Sequence, residues 1–157
     1  MATDLNELEA IKRLKYRYVR SLDLKLWDEL EQCLTEDCHS AYGDGQFSFD
    51  DRPAIMTFLK DALGPHTRIT RHQVHQPEIE LTSATTATGV WALDDIVIDT
   101  EAKITIRGAA FYHDEYVKVG GAWKIAKTGY RRIFEEMQSR AETPSLVITK
   151  NGFAVSK

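Results

Sequence analysis

Cysteine is scarce in this chain, with only Cys33 and Cys38 among 157 residues. Two thiols this close together cannot build the cross-linked framework on which small secreted domains depend, and they fit a reducing compartment, so both are expected to be free or simply packed. Long apolar runs are missing too. The stretch MATDLNELEAIKR carries a charge every few residues where a signal peptide would be continuously apolar, and no later segment reaches the roughly 20 residues needed to cross a bilayer. A cytoplasmic protein with no membrane partner is expected. Nor is positive charge in excess: 20 Lys and Arg against 24 Asp and Glu leave a net charge of −4, without the basic stripe a phosphate backbone requires. Nucleic acid is therefore not an expected partner. The glycines form no phosphate-cradling loop and the chain shows no repeat or low-complexity linker, so no nucleotide cofactor is expected.

What remains is an ordinary globular composition, 43% hydrophobic and 28% charged, in a length that fits one domain with a core of its own. A single domain over 1–157 is expected, with its core at about 5–137 and a tail at 138–157. From Leu5, the residues Leu8, Ile11, Leu14, Tyr18 and Leu22 recur at steps of three and four, which predicts a long amphipathic helix. Asp28 suits the cap of a second, short helix through Leu30 and Leu34. DDRPAIMTFLKDALG, with its acidic start, early Pro53 and terminal Gly64, predicts a third. Between them HSAYGDGQFSF reads as two short strands about a Gly43-Asp44-Gly45 turn.

After Gly64 the character changes to long stretches rich in β-branched and aromatic residues, separated by TSATT, DTEA and VGGA. These predict an antiparallel meander, and hence an α+β fold. Pro77 lies inside the first long strand, where its missing N–H calls for a bulge or a sheet edge. Three helices closing one side of a bent sheet would leave a cone-shaped apolar pocket with a few polar groups pointing inward. The tail PSLVITKNGFAVSK is apolar enough to add a strand or to cover the pocket mouth.

Several residues bear chemistry, each with a plainer reading beside it. His72 and His75 stand three apart on a strand and so face opposite ways, which allows at most one into a pocket and argues against a zinc pair. No metal is expected. Asp23 is either a solvated helix-end carboxylate or a site residue, and Tyr18 either core or rim. Gly89, Trp91, Leu93 and Asp95 share a strand face, so Asp95 follows Trp91 into a pocket or marks a solvated strand end. Tyr112 is a further aromatic candidate for substrate contact. Arg131 and Arg132 face opposite ways, and one of them can enter the pocket mouth.

The segments IKRLKYRYVRSLDLKLWDELEQCLTEDC, RHQVHQPEIELTSATTATGVWALDD, FYHDEYVKVGGAWKI and KTGYRRIFEE together resemble the SnoaL-like branch of the nuclear transport factor 2-like superfamily. The dehydratase and dehydrochlorinase members are the nearest in look. The resemblance implies a cone-shaped α+β fold, a homodimer or homotrimer, and a catalytic dyad whose matching residues are Asp23 and His72. It implies a catalytic role for Tyr18 and substrate-binding roles for Asp95 and Arg132, joined by Trp91 and Tyr112. Tyr18 and Asp23 are five apart, about 140° of helical rotation, so they share a cavity only if the helix ends between them. The function expected is a cofactor-independent, dehydratase-like lyase acting on a hydrophobic hydroxylated carbonyl compound such as a steroid or polyketide. An isomerase or cyclase would use the same acid and base on a similar polycyclic substrate. A non-catalytic small-molecule-binding module would keep the pocket without the dyad, and an interaction protein would show a large apolar patch instead.

Overall fold

The computed structural model describes residues 4–154. Helix α1 spans Leu5–Leu24 because a carboxylate starts it and an apolar stripe holds it: Asp4 accepts a hydrogen bond from the Asn6 N–H at 3.0 Å, while Ile11, Leu14, Tyr18, Val19 and Leu22 are buried. It stops at Lys25, whose left-handed backbone turns the chain out of the helix. Helix α2, Trp27–Gln32, begins after Leu26, so Asp28 sits in its first turn rather than at its cap. There the carboxylate still meets the positive end of the helix dipole. Leu34, expected in this helix, instead opens strand β1, because the helix ends at Cys33.

Strand β1 (Leu34–Tyr42) turns through Gly43, Asp44 and Gly45 into β2 (Phe47–Phe49), and all three turn residues have positive φ. Helix α3 (Arg52–Leu63) follows, capped by Asp51, which accepts from the Ala54 N–H at 2.8 Å. Gly64 ends it in an ordinary right-handed conformation. A glycine is needed there for space, since a Cβ would strike the Lys60 carbonyl.

Strands β3 (Arg68–Leu81), β4 (Thr86–Asp99), β5 (Ile104–Val119) and β6 (Ala122–Ser139) form the expected antiparallel meander. The open sheet runs β2-β1-β6-β5-β4-β3, and β1 pairs with β6 in parallel, so the sheet is mixed. Helix α1 packs on β3 and α3 on β1. The core fills the space between, where each fully buried large side chain contributes about 1.5–3 kcal/mol. β3 is an edge strand and also bulged: the register passes from His75↔Ala92 to Glu78↔Val90, with Gln76 at φ 46 and Pro77 in the gap. Pro77 thereby escapes the ladder bond it cannot make.

Beyond β6 the chain forms no strand within the described residues. Arg140 Nη1 donates to Thr105 Oγ1 at 2.9 Å, Asn151 donates to the His66 carbonyl at 3.1 Å, and the Phe153 ring lies 4.8 Å from Lys25 Nζ. Both Cys33 and Cys38 are buried free thiols. Burial pushes them up to about 11 and about 12 respectively.

Candidate active site

The inner face of the sheet is set by alternation. On β4, Gly89, Trp91, Leu93 and Asp95 are all buried, and on β5 Gly108, Ala110, Tyr112, Asp114 and Tyr116 are buried too. On β3, His72 lies directly across from Asp95 and turns inward with a side chain only 9% exposed, while His75 is exposed on the other face. On β6 the face is re-aimed twice. Ala126 and Ile133 are extra residues opposite β5; the first carries the inward set from Trp123 and Ile125 to Thr128, Tyr130 and Arg132, and the second follows Arg132. Arg132 therefore enters the interior and Arg131 is exposed.

Between this face and helices α1 and α3 lies a chamber of about 130 Å³. Its polar wall is Tyr18, Tyr42, His72, Asp95, Tyr112, Tyr130 and Arg132, and its apolar wall includes Leu22, Phe47, Phe58 and Leu63. Larger depressions of about 450 and 880 Å³ lie elsewhere on the surface, away from His72.

Asp23 accepts three hydrogen bonds: from His72 Nδ1 at 2.7 Å, from the His72 backbone N–H at 2.7 Å and from Thr70 Oγ1 at 2.8 Å. An ionised carboxylate only accepts, so Nδ1 of the neutral imidazole carries the hydrogen and Nε2 keeps its lone pair. Helix α1 does not end between Tyr18 and Asp23 as expected; it continues to Leu24. The 140° rotation is used instead of avoided, because Tyr18 and Leu22 line the chamber while Asp23 reaches the edge strand beside it and grips His72 from behind.

Arg132 binds Asp95 through both terminal nitrogens, with Nη2 at 2.9 Å from Oδ2, and its guanidinium lies 4.8 Å from the centre of the Tyr130 ring. Burial opposes the cation, but the Asp95 carboxylate more than compensates and the Arg132 pKa rises further. Gly108 faces Asp95 across the β4–β5 ladder and makes this fit possible, since a Cβ there would stand 2.6 Å from the Phe134 carbonyl and 2.8 Å from Arg132 Nη1. The Tyr18 and Tyr42 hydroxyls meet at 2.9 Å. Burial raises the pKa of Tyr18, Tyr42 and Tyr112, keeping these phenols protonated at neutral pH.

Trp91 shares the inward face but does not line the chamber. Its Nε1 donates to the Tyr116 hydroxyl at 2.8 Å, which donates to Asp114 at 2.7 Å. Asp114 also accepts from Thr128 at 2.7 Å and pairs with fully buried Lys15 Nζ at 2.7 Å. Burial lowers the Lys15 pKa and Asp114 opposes that shift. Lys15 lies 3.5 Å from the centre of the Tyr112 ring, so this network backs the chamber wall.

Of the seven residues expected from sequence, six meet at the chamber or support it and Trp91 stands behind it. Sequence reasoning passed over Tyr42, Tyr130, Phe58, Thr70 and Gly108. Only the turn beside Tyr42 carried a local signal. Among the described residues no three His, Cys, Asp or Glu are grouped to hold a metal ion, and no helix is long and apolar enough to cross a membrane.

An α+β fold with a helix-covered open sheet and a histidine-bearing chamber defines a class, and the comparisons identify it. Residues 3–129 match the family described as the SnoaL-like domain, and the chain belongs to that family. A solved structure from Novosphingobium aromaticivorans, assigned as a scytalone dehydratase, is 28% identical, with a TM-score of 0.78 over 84% of this chain and 87% of that one. The hexachlorocyclohexane dehydrochlorinase LinA-type3 from Novosphingobium barchaimii is 19% identical, with a TM-score of 0.76 over 86% of this chain and 92% of its own. ActVI-ORFA from Streptomyces coelicolor is 14% identical, with a TM-score of 0.69 over 82% and 98%. The last two share the fold.

Proposed function

We propose that this protein is a cofactor-independent, dehydratase-like lyase acting on a hydroxylated carbonyl compound. The observation that carries the reading is His72: its Nδ1 is held by Asp23 at 2.7 Å, and the ring lines an aromatic chamber directly across from Asp95. An imidazole oriented by a carboxylate is suited to act as a general base with its free nitrogen as the acceptor. The likeness to a protein assigned as a scytalone dehydratase supports the same chemistry.

In the proposed reaction Nε2 removes the proton α to the carbonyl. The C–H electrons flow toward the carbonyl oxygen, where Tyr18, paired with Tyr42, donates a hydrogen bond to the developing enolate. The enolate then re-forms its carbonyl as the Cα–Cβ double bond forms and the Cβ–O bond breaks. The departing hydroxide takes the proton back from the His72 imidazolium and leaves as water, so the protein ends as it began. Arg132, fixed by Asp95, orients the departing oxygen. The test is mass spectrometry of β-hydroxy ketones incubated with the wild type and with His72→Ala. Loss of 18 mass units, about one water, that disappears in a folded, ligand-binding variant supports the lyase. Binding without mass change in the wild type refutes it, and an absorbance change at constant mass would then identify an isomerase.

A further inference from the structure

We infer that the substrate is a single six-membered ring bearing one carbonyl and one β-hydroxyl, and that Phe58 sets this size limit. The inference rests on the lyase reading for its polar groups, but the size limit itself is a property of the walls. The chamber holds about 130 Å³. An apolar cavity of about 150 Å³ accommodates benzene, whereas sites for drug-sized molecules span about 300–1,000 Å³. One ring with two small oxygen substituents fits; the fused rings of a steroid or polyketide do not.

The walls are built to keep that volume. Phe58 of α3 stacks on Phe47 with centroids 5.1 Å apart, on Phe49 at 4.9 Å and on Tyr42 at 6.0 Å, so neighbours on the β1–β2 hairpin confine it. The hairpin is itself fastened to β6. Asp44 at its turn accepts the Arg132 backbone N–H at 2.9 Å and donates its own N–H to the Tyr130 carbonyl at 3.3 Å. Moving Phe58 outward therefore means moving a hairpin anchored at the residue that grips Asp95, which couples chamber size to the integrity of the polar wall. The same chamber is lined by the Tyr18–Tyr42 hydroxyl pair, by His72 and by Arg132. A ring placed between them presents its carbonyl to the phenols and its α-hydrogen to His72.

The test measures binding rather than turnover. Calorimetric affinities of 2-cyclohexenone, a two-ring octalone and a four-ring enone steroid are compared for the wild type, Phe58→Ala and the milder Phe58→Leu, with the His72 ring resonances reporting that each ligand enters the chamber. The expected result is at least roughly ten-fold tighter binding of the single ring by the wild type, with the preference narrowed or reversed in the Phe58 variants; that factor is the low end of what a mismatch of one methylene is worth in a hydrophobic pocket. Equal or tighter binding of the larger ketones by the wild type overturns the inference, as does an unchanged size preference in both folded variants. A single-ring preference without water loss in the turnover assay would uphold the size limit while refuting the lyase.

Discussion

Replacing Asp23 by Asn tests the dyad without knowledge of the substrate. The carboxylate accepts three hydrogen bonds, from His72 Nδ1, the His72 backbone N–H and Thr70 Oγ1. An amide has one oxygen, so some donor must face the NH2 group whichever way it is turned. If the amide nitrogen meets the His72 backbone N–H, that buried donor is stranded; if it meets Nδ1, the imidazole must accept there and move its hydrogen to Nε2, which removes the free base. Losing one hydrogen bond to a charged group costs roughly 1.5–3 kcal/mol and stranding a donor about 1–3 more, so a destabilisation of roughly 3–5 kcal/mol is expected. In a domain of this length that corresponds to a drop in Tm of roughly 6–20 °C. Differential scanning calorimetry reads the stability and nitrogen-resolved spectra of the imidazole read the tautomer. Turnover should fall by about 10²–10⁴. An Asn variant that melts with the wild type and keeps hydrogen on Nδ1 would falsify the proposed role of Asp23.

Three other perturbations separate wall, fit and core. Lys15→Met leaves Asp114 buried without its cation and should cost about 3–5 kcal/mol in urea melts, while Lys15→Met combined with Asp114→Asn should regain a large share; equal losses in the two would show that the ion pair is not the cause. Gly108→Ala drives a methyl against the Phe134 carbonyl and Arg132 Nη1, with an expected loss of about 1–3 kcal/mol and a displaced Arg132, so an unchanged urea midpoint would refute the tight fit. The buried thiols give an alkaline limb. Their folded pKa values, about 11 and about 12, lie above the ordinary 9.0, so between these values the unfolded chain binds fewer protons and stability falls with rising pH. The slope is about 1.4 kcal/mol per pH unit per thiol. Denaturant midpoints at pH 8, 9 and 10 should drop less in a Cys33→Ala, Cys38→Ala double variant, and parallel curves would count against the thiols.

What the residues made legible follows their range of influence. The α1 stripe and its caps act within one or two turns, so period and composition sufficed to find the helix. Pro77 marked its bulge because the missing N–H is a property of the residue itself. The contact between Asp23 and His72 has no local signature, since it joins a helix end to an edge strand 49 residues on, and only the family resemblance brought the two together. Alternation divided Arg131 from Arg132 but could not say which faces inward. One extra residue in β6, Ala126, resets the parity that the apolar positions Trp123 and Ile125 establish. Tyr42 and Tyr130 were passed over for a similar reason: one ends a strand that pairs in parallel with a strand nearly 90 residues away, and a tyrosine there reads as core.

Most of the polar groups around the chamber already hold a protein partner. Arg132 is neutralised by Asp95, the Tyr18 and Tyr42 hydroxyls share one hydrogen bond, Lys15 is paired with Asp114, and Asp23 accepts from three donors. Each pairing lowers the cost of burying a charge or a dipole in an aromatic interior. His72 Nε2 stands apart, with no hydrogen bond to any described residue although its ring lines the chamber. A ligand that enters the chamber can meet this lone pair without displacing a protein partner. A ligand hydrogen placed against Nε2 therefore meets an acceptor that gives up no protein bond to receive it, whereas Tyr18, Tyr42 and Arg132 already hold protein partners. On the proposed reading the phenols and the guanidinium orient the ring, and the unshared nitrogen takes the C–H proton that this orientation presents.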